Sequence, residues 1–363
     1  MLRSLSCARI RPRLLLGFVL VLLILGTVLA PPREARACDI CAIYTAVDLG
    51  PSKLGFRVGV GEQYTHFGTT LDDSEEVPST GEKMDSSITQ ILLGYHFTPK
   101  IGLQLTIPII HRTFTRLEEG ELENGSETGF GDLALLGSFV PFEAVGENGL
   151  FRASLWGGLK LPSGNPDRLA EEQDEDHDTL DLNGDGIIDA EERIRQRLEG
   201  LSSTGLGSPL HDEAGSAIHG HDLALGSGSV DGIIGGHVFM SWDRFFLTQS
   251  AQYAIRTEGA FEYQYANDLT WQGGPGWFVY LDHDLSISLQ GTVSGETKGN
   301  DTFEGEKLDD TAVTYVFAGP AMQVSWGTSF SFEMFGDIPF VRNETGLQIA
   351  PDYRIRGGLV WRF

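Results

Sequence analysis

The chain has 363 residues, with 26 Lys and Arg against 51 Asp and Glu, and a formal net charge of −25. So acidic a polypeptide excludes nucleic acid as a natural partner, because phosphate neutralisation needs basic surface. Beyond the first 30 residues no stretch is apolar enough for a spanning helix, so a membrane protein built from this sequence must cross with strands.

In chain order, Arg3, Arg9, Arg11 and Arg13 precede an apolar run from Leu14 to Leu29, and Ala35-Arg36-Ala37 puts small residues at the two cleavage-determining positions. The run falls short of the roughly 20 residues that a spanning helix needs. Residues 1–37 therefore read as a cleaved signal peptide rather than an anchor. Lipidation of Cys38 would want an aliphatic residue three places earlier, which Ala35 with Arg36 suits poorly. Residues 38–52 form a periplasmic segment carrying Cys38-Asp39-Ile40-Cys41. That spacing is open to a disulfide, a metal site or redox contact with a periplasmic partner. No histidine follows Cys41, which argues against haem attachment, and the only other cysteine, Cys7, leaves with the signal.

From residue 53 to 363 the sequence alternates with a period of two between turn signals. The expected strands are 53–69, 86–98, 100–114, 128–142, 149–162, 222–240, 243–257, 269–281, 284–296, 311–325, 327–338 and 352–363. Leu285, Ile287, Leu289 and Val293 alternate with Ser286, Ser288, Gln290 and Thr292. Ile101, Leu103, Leu105, Ile107 and Ile109 make a similar stripe. Connections at 98–100, 241–243, 282–284 and 326–327 are tight. Those near 70–85, 115–127, 163–221, 258–268, 297–310 and 339–351 are polar, acidic and expected to be long loops. In the last strand Tyr353, Ile355, Leu359, Trp361 and Phe363 share one face, and Arg354, Arg356, Gly358 and Arg362 the other.

The fold class expected is all-β: a transmembrane, antiparallel up-and-down barrel of about 12 strands, monomeric, in the bacterial outer membrane, with short periplasmic turns and long external loops. Its partners would be outer-membrane lipid, the barrel-assembly machinery reading the C-terminal strand, and a small-molecule solute. A soluble sandwich also alternates, but would not pair short turns at one end with long loops at the other. On this register Arg57, Glu62, Arg152, Lys160, Glu333, Arg354 and Arg356 line the lumen, either as a constriction of opposed charges that filters small solutes or as ion pairs bracing the wall.

The fullest local motif is Asp181 to Glu192, which matches a twelve-residue EF-hand loop. Asp181, Asn183 and Asp185 supply side-chain oxygens, Gly186 the sharp turn and Ile187 its carbonyl. Asp189 reaches the ion directly or through water, and Glu192 closes the site with two oxygens. Calcium is therefore the expected cofactor, with a short helix following at 191–198. The loop sits in the longest external connection, 163–221, where it decorates the barrel mouth and acts as a lid. His177, His211, His219 and His221 fall in or beside the same insertion, and His219-Gly220-His221-Asp222 offers imidazole ligands for a transition metal. No histidine is placed by sequence to activate the serines of Gly226-Ser227-Gly228-Ser229, so an enzyme is not expected.

Three segments, Gly129-Phe130-Gly131-Asp132-Leu133, Leu159-Lys160-Leu161-Pro162-Ser163-Gly164-Asn165 and Leu225-Gly226-Ser227-Gly228-Ser229-Val230-Asp231, resemble recurrent motifs of the phenol-degradation MetA-pathway family. The resemblance covers about 53–363, apart from the insertion at 166–218. It implies an outer-membrane channel for passive or facilitated diffusion of small hydrophobic or aromatic molecules. The calcium loop and the cysteine pair depart from that pattern. Two other roles stay open: a barrel that anchors a calcium-ordered surface loop for a partner, and a metal-handling barrel that uses the cysteine pair.

Overall fold

The computed structural model describes residues 54–118, 121–172, 216–308 and 310–363. The signal peptide, Cys38 and Cys41, the EF-hand-like loop with its ligands Asp181 to Glu192, and the helix expected after it lie outside the described residues.

Twelve long strands form the wall: β1 (Gly55–Asp72), β2 (Lys83–Thr98), β3 (Ile101–Glu118), β4 (Glu121–Phe130 and Leu133–Val145, broken at Gly131-Asp132), β5 (Gly149–Leu161), β6 (Asp231–Trp242), β7 (Phe245–Ile255), β8 (Asp268–Leu281), β9 (Leu285–Lys298), β10 (Val313–Trp326), β11 (Phe330–Glu344) and β12 (Leu347–Arg362). Neighbours in sequence are neighbours in the sheet, all antiparallel, and β12 returns to β1 from Arg57↔Arg362 to Asp72↔Leu347. Closure leaves the sheet without terminal edge strands, as a strand protein in lipid requires, although the upper part of β4, Glu121–Phe130, is paired on one side alone. Short strands at Tyr263–Gln264, Thr302–Phe303 and Glu306–Lys307 make a small separate sheet.

One end of the barrel has only tight turns, and the other carries the long connections. Two segments expected to be loops are strand instead. Residues 115–118 and 121–127 are the tips of β3 and β4, paired as far as Glu118↔Glu121, and 339–351 continue β11 and β12 to a turn at Thr345-Gly346. At the β3–β4 tip both faces are mostly polar, so the alternation that marks a strand fades while the ladder continues. In 339–351, Pro339, Pro351 and the adjacent buried pair Ile349-Ala350 interrupt the period instead.

The alternation decides what faces outward. On β1, Phe56, Val58 and Val60 are 66%, 40% and 45% exposed, while Gln63 and Thr65 are buried. On β12, Tyr353, Ile355, Leu359, Trp361 and Phe363 are exposed and Arg354, Arg356 and Arg362 buried, as the sequence pattern requires. Trp242, Trp326, Trp361 and Phe363 ring the turn end, and Phe130, Tyr253, Phe340 and Tyr353 stand nearer the loop end. An apolar exterior between aromatic girdles around a polar interior is the inverse of a soluble barrel and suits a lipid surround.

Glu62 corrects the expected lumen set. The β1 ladder runs without a bulge from Arg57 to His66, so Glu62 has the parity of Val58 and Val60 and shares their outer face. Its carboxylate accepts hydrogen bonds from Ser87 (2.6 Å) and Thr89 of β2.

Candidate functional site: the lumen and its plug

After Leu161 the chain turns into the barrel. The leaving arm of the insertion, 162–172, contains a short 3₁₀ turn at Asp167–Ala170, and the returning arm, 216–230, contains one helical turn at Gly220–Leu223. Ala217, Ile218, Leu223 and Ala224 are fully buried. Ala217, Ile218 and Leu223 pack on wall residues Phe67, Met84, Phe114 and Ile349, and Leu169 with Ala224 packs on Tyr263, Tyr265 and Phe303. The described parts of the insertion therefore do not decorate the mouth from outside. They form a plug whose apolar side chains find their only dry environment against the inner wall.

Polar anchors hold the plug. Glu82, 1% exposed, accepts from the Ser216 hydroxyl (2.6 Å) and the Ala217 amide (3.2 Å). Arg112 donates through Nη1 to the Ala224 carbonyl at 3.0 Å. The break in β4 aims Asp132 inward, where it accepts from the amides of Ser163 and Gly164 on the leaving arm and from Ser227 on the returning arm, at 3.1, 2.9 and 3.0 Å. One carboxylate thus ties both arms to the wall. The arms cross in contact: Leu225 and Gly226 donate backbone bonds to the Asn165 carbonyl, and a Cβ at Gly164 would stand 2.5 Å from the Leu225 oxygen. Glycine is required there by space.

Below the crossing lies a buried ion network. Lys160 Nζ contacts Asp132 at 2.7 Å and Asp231 at 2.8 Å, and Arg256 joins Asp231 (2.9 Å) to Asp268 (2.7 Å). The Ser227 hydroxyl touches Lys160 Nζ, Asp132 and Ser229 at 2.6, 2.9 and 2.7 Å. With its ammonium engaged by two carboxylates, Lys160 acts as an ion-pair donor and Ser227 as part of a clasp. The three glycine-rich segments singled out in the sequence meet here, Asp132 from the first, Lys160, Ser163 and Gly164 from the second, and Gly226, Ser227, Ser229 and Asp231 from the third. The sequence marked them as a set without showing that they touch.

Further along the lumen, Arg354 and Arg356 flank Asp337, with Arg354 Nε at 3.3 Å and Arg356 Nη2 at 2.7 Å from its Oδ2, and Arg354 also reaches Glu296 at 3.5 Å. Their guanidiniums lie over Phe317 and Phe335, at 3.9 and 4.7 Å from the ring centres. Stacked and hydrogen-bonded on both sides, these arginines are fixed in position. Two adjoining cavities of about 40 and 70 Å³ remain between the side chains, each with room for a few water molecules. One is lined by His237, Ser250, Gln272, Gln290, Gln323 and Glu333, and the other by Gln63, Trp156, Gln252, Glu296, Arg354 and Arg356. Of the expected lumen residues, Arg57, Arg152, Lys160, Glu333, Arg354 and Arg356 carry the inward parity of their strands, and Arg57 donates to Gln104 across the wall.

At the base of the insertion, His221 Nδ1 meets Glu172 Oε1 at 3.0 Å, and both are buried. Burial works against each charge, but the pairing overrides it: Asp222 and Glu172 raise His221 to about 10, and His221 lowers Glu172 to about 2. His177 and His211 lie outside the described residues.

No family model matches the chain, and no curated protein matches it. Among solved structures, it is similar to an outer-membrane channel from Pseudomonas putida F1, with 13% identity over 92% of this chain and 100% of that one and a TM-score of 0.54. It also aligns with the beta domain of the Bordetella autotransporter BrkA, at 8% identity over 85% of this chain and 100% of that one, with a TM-score of 0.41. The first likeness bears out the barrel fold.

Proposed function

We propose that this chain is an outer-membrane channel through which small solutes diffuse, with the plug controlling the loop end of the lumen. One observation carries the reading: the apolar belt faces outward, while the part of the lumen beyond the plug is lined largely by polar and charged side chains with space left between them. A wall of Gln, Ser and Thr with fixed arginines replaces water around a polar or anionic solute at low cost. Phe335 and Ala321 in one cavity and Trp156 and Trp271 in the other add apolar surface beside these polar groups. The lumen therefore suits small solutes that carry both, the aromatic molecules implied by the family resemblance among them. The motif residues gathered at the plug junction support a relation to that family. Residues 1–37 serve export, and the loop end faces the exterior.

Calcium bound by Asp181, Asn183, Asp185, Ile187, Asp189 and Glu192 fits the same reading, since ordering the insertion steadies both plug arms. The anchor reading gains support from the plug itself, which closes the loop end. Single-channel recording of the refolded exported chain in a planar bilayer separates the two. Open steps, more frequent with chelator than with calcium, support a plugged channel. Silence from a folded wild type, and from a variant with the plug anchors removed, leaves only the anchor.

A further inference from the structure

The two arms of the insertion meet at a polar cluster that the lumen does not use. His219, His221 and Asp222 belong to the returning arm, and Glu172 to the leaving arm. One ring nitrogen from each histidine and one Asp222 oxygen lie within 4.8 Å of one another. His219 is 8% exposed and His221 is 2% exposed, with their rings stacked at 5.3 Å and 21°. His219 Nδ1 is buried without a hydrogen-bond partner, an arrangement that native proteins rarely leave unexplained. His221 presents Nε2 to Asp222 Oδ1 at 3.6 Å and Nδ1 to Glu172 Oε1 at 3.0 Å.

We propose that His219, His221 and Asp222 bind a divalent transition-metal ion, with Glu172 orienting His221 from behind. Two imidazoles and one carboxylate make a borderline donor set suited to Zn²⁺ or its neighbours, whereas Ca²⁺ takes six or more oxygens. The set leaves a fourth position for water or an exogenous ligand. A carboxylate on the far nitrogen of a ligating imidazole fixes its tautomer and raises its basicity, and Glu172 occupies that place. On binding, His221 gives up a proton to solvent as its Nε2 turns to the ion. The orienting carboxylate comes from one arm and the three ligands from the other, so the ion staples the arms together at the base of the insertion. Ala217, Ile218 and Leu223 beside it are then held against the inner wall. This site differs in its residues and donor chemistry from the EF-hand-like sequence 181–192, and its metal binding does not depend on channel activity.

The test uses the refolded full exported chain with Cys38 and Cys41 both replaced by serine and the solution saturated with Ca²⁺, so that neither thiols nor the oxygen loop compete. Titration with Co²⁺, followed by its visible absorption, should show one tight equivalent that Zn²⁺ displaces. His219→Ala and Asp222→Asn should each weaken binding by at least tenfold, and Glu172→Gln by roughly 10–100-fold with the Co²⁺ spectrum retained. Heat-modifiable migration reports folding of each variant. Asp222 is partly exposed, so Asp222→Asn carries the test if His219→Ala fails to fold. A folded barrel that takes up no Co²⁺, or binding unchanged in Asp222→Asn and His219→Ala, overturns the site.

Discussion

The wall and the plug are held by different physics. Each wall strand is fixed by a ladder on both sides and by a parity that puts apolar side chains outward; no single outer side chain decides the fold. The plug has little regular structure, one helical turn and a 3₁₀ turn, and depends on a few buried charges: Glu82, Arg112, Asp132, Lys160 and Asp231. Stability is spread along the wall but concentrated at a few points in the plug, so single substitutions should separate the two.

The largest effect is expected at Asp231. Asp231→Ala removes at once the carboxylate shared by Lys160 and Arg256 and the acceptor for the Ser229 hydroxyl and the Thr257 amide. Lys160 keeps Asp132 and Arg256 keeps Asp268, but hydrogen bonds to a charged group contribute roughly 1.5–3 kcal/mol each. Hydrogen exchange should rise across 216–230 far more than across β9, and open-channel time should increase. Equal loss of protection in plug and wall would break the comparison. On the wall, Leu289→Ala is expected to have little effect, whereas Leu289→Arg places a charge on the outer face at mid-strand, for which about 2–4 kcal/mol is typical of barrels in lipid. Denaturant unfolding in liposomes reads both. A benign Leu289→Arg would mean that this face does not meet hydrocarbon.

Glu82→Gln should be smaller and local. It weakens the bonds to Ser216 and Ala217 but keeps an acceptor, at a cost on the order of 1–3 kcal/mol for a buried polar group. The expected readout is faster proteolysis near the plug with an unchanged unfolding midpoint of the barrel. A shifted midpoint would show that plug and wall unfold as one unit.

How much of this was legible in the sequence follows the same division. The stripes on β9 and β12 gave both strands and their facing, because lipid on one side and polar lumen on the other impose strict alternation. The β3–β4 tip rises beyond the apolar belt, where both faces are mostly polar and the periodic signal vanishes. In 339–351 the signal is broken by Pro339, Pro351 and the adjacent buried pair Ile349-Ala350. The plug was hidden for another reason. Ala217, Ile218 and Leu223 sit in glycine-rich sequence with no period, and what buries them comes from strands more than a hundred residues away. The glycine motifs were the one visible trace of it, since Gly164 and Gly226 are demanded by a crossing that sequence alone does not reveal.

Glu62 gives the smallest expected effect and the sharpest check on the register. It was expected in the lumen with Arg57, but five positions along an unbroken strand reverse the parity, and Glu62 looks outward to Ser87 and Thr89. Glu62→Gln keeps a side-chain acceptor for those hydroxyls and removes a carboxylate from a face shared with Val58 and Val60, so barrel stability should stay equal or rise slightly. Ion selectivity should not move, because the group does not see the permeating solute. Glu333→Gln, on the opposite parity and lining a cavity, should shift selectivity towards anions under identical conditions. The two glutamates differ in parity rather than in kind. Reversal potentials that respond to Glu62 and ignore Glu333 would mean that the outward and inward faces of the register had been exchanged.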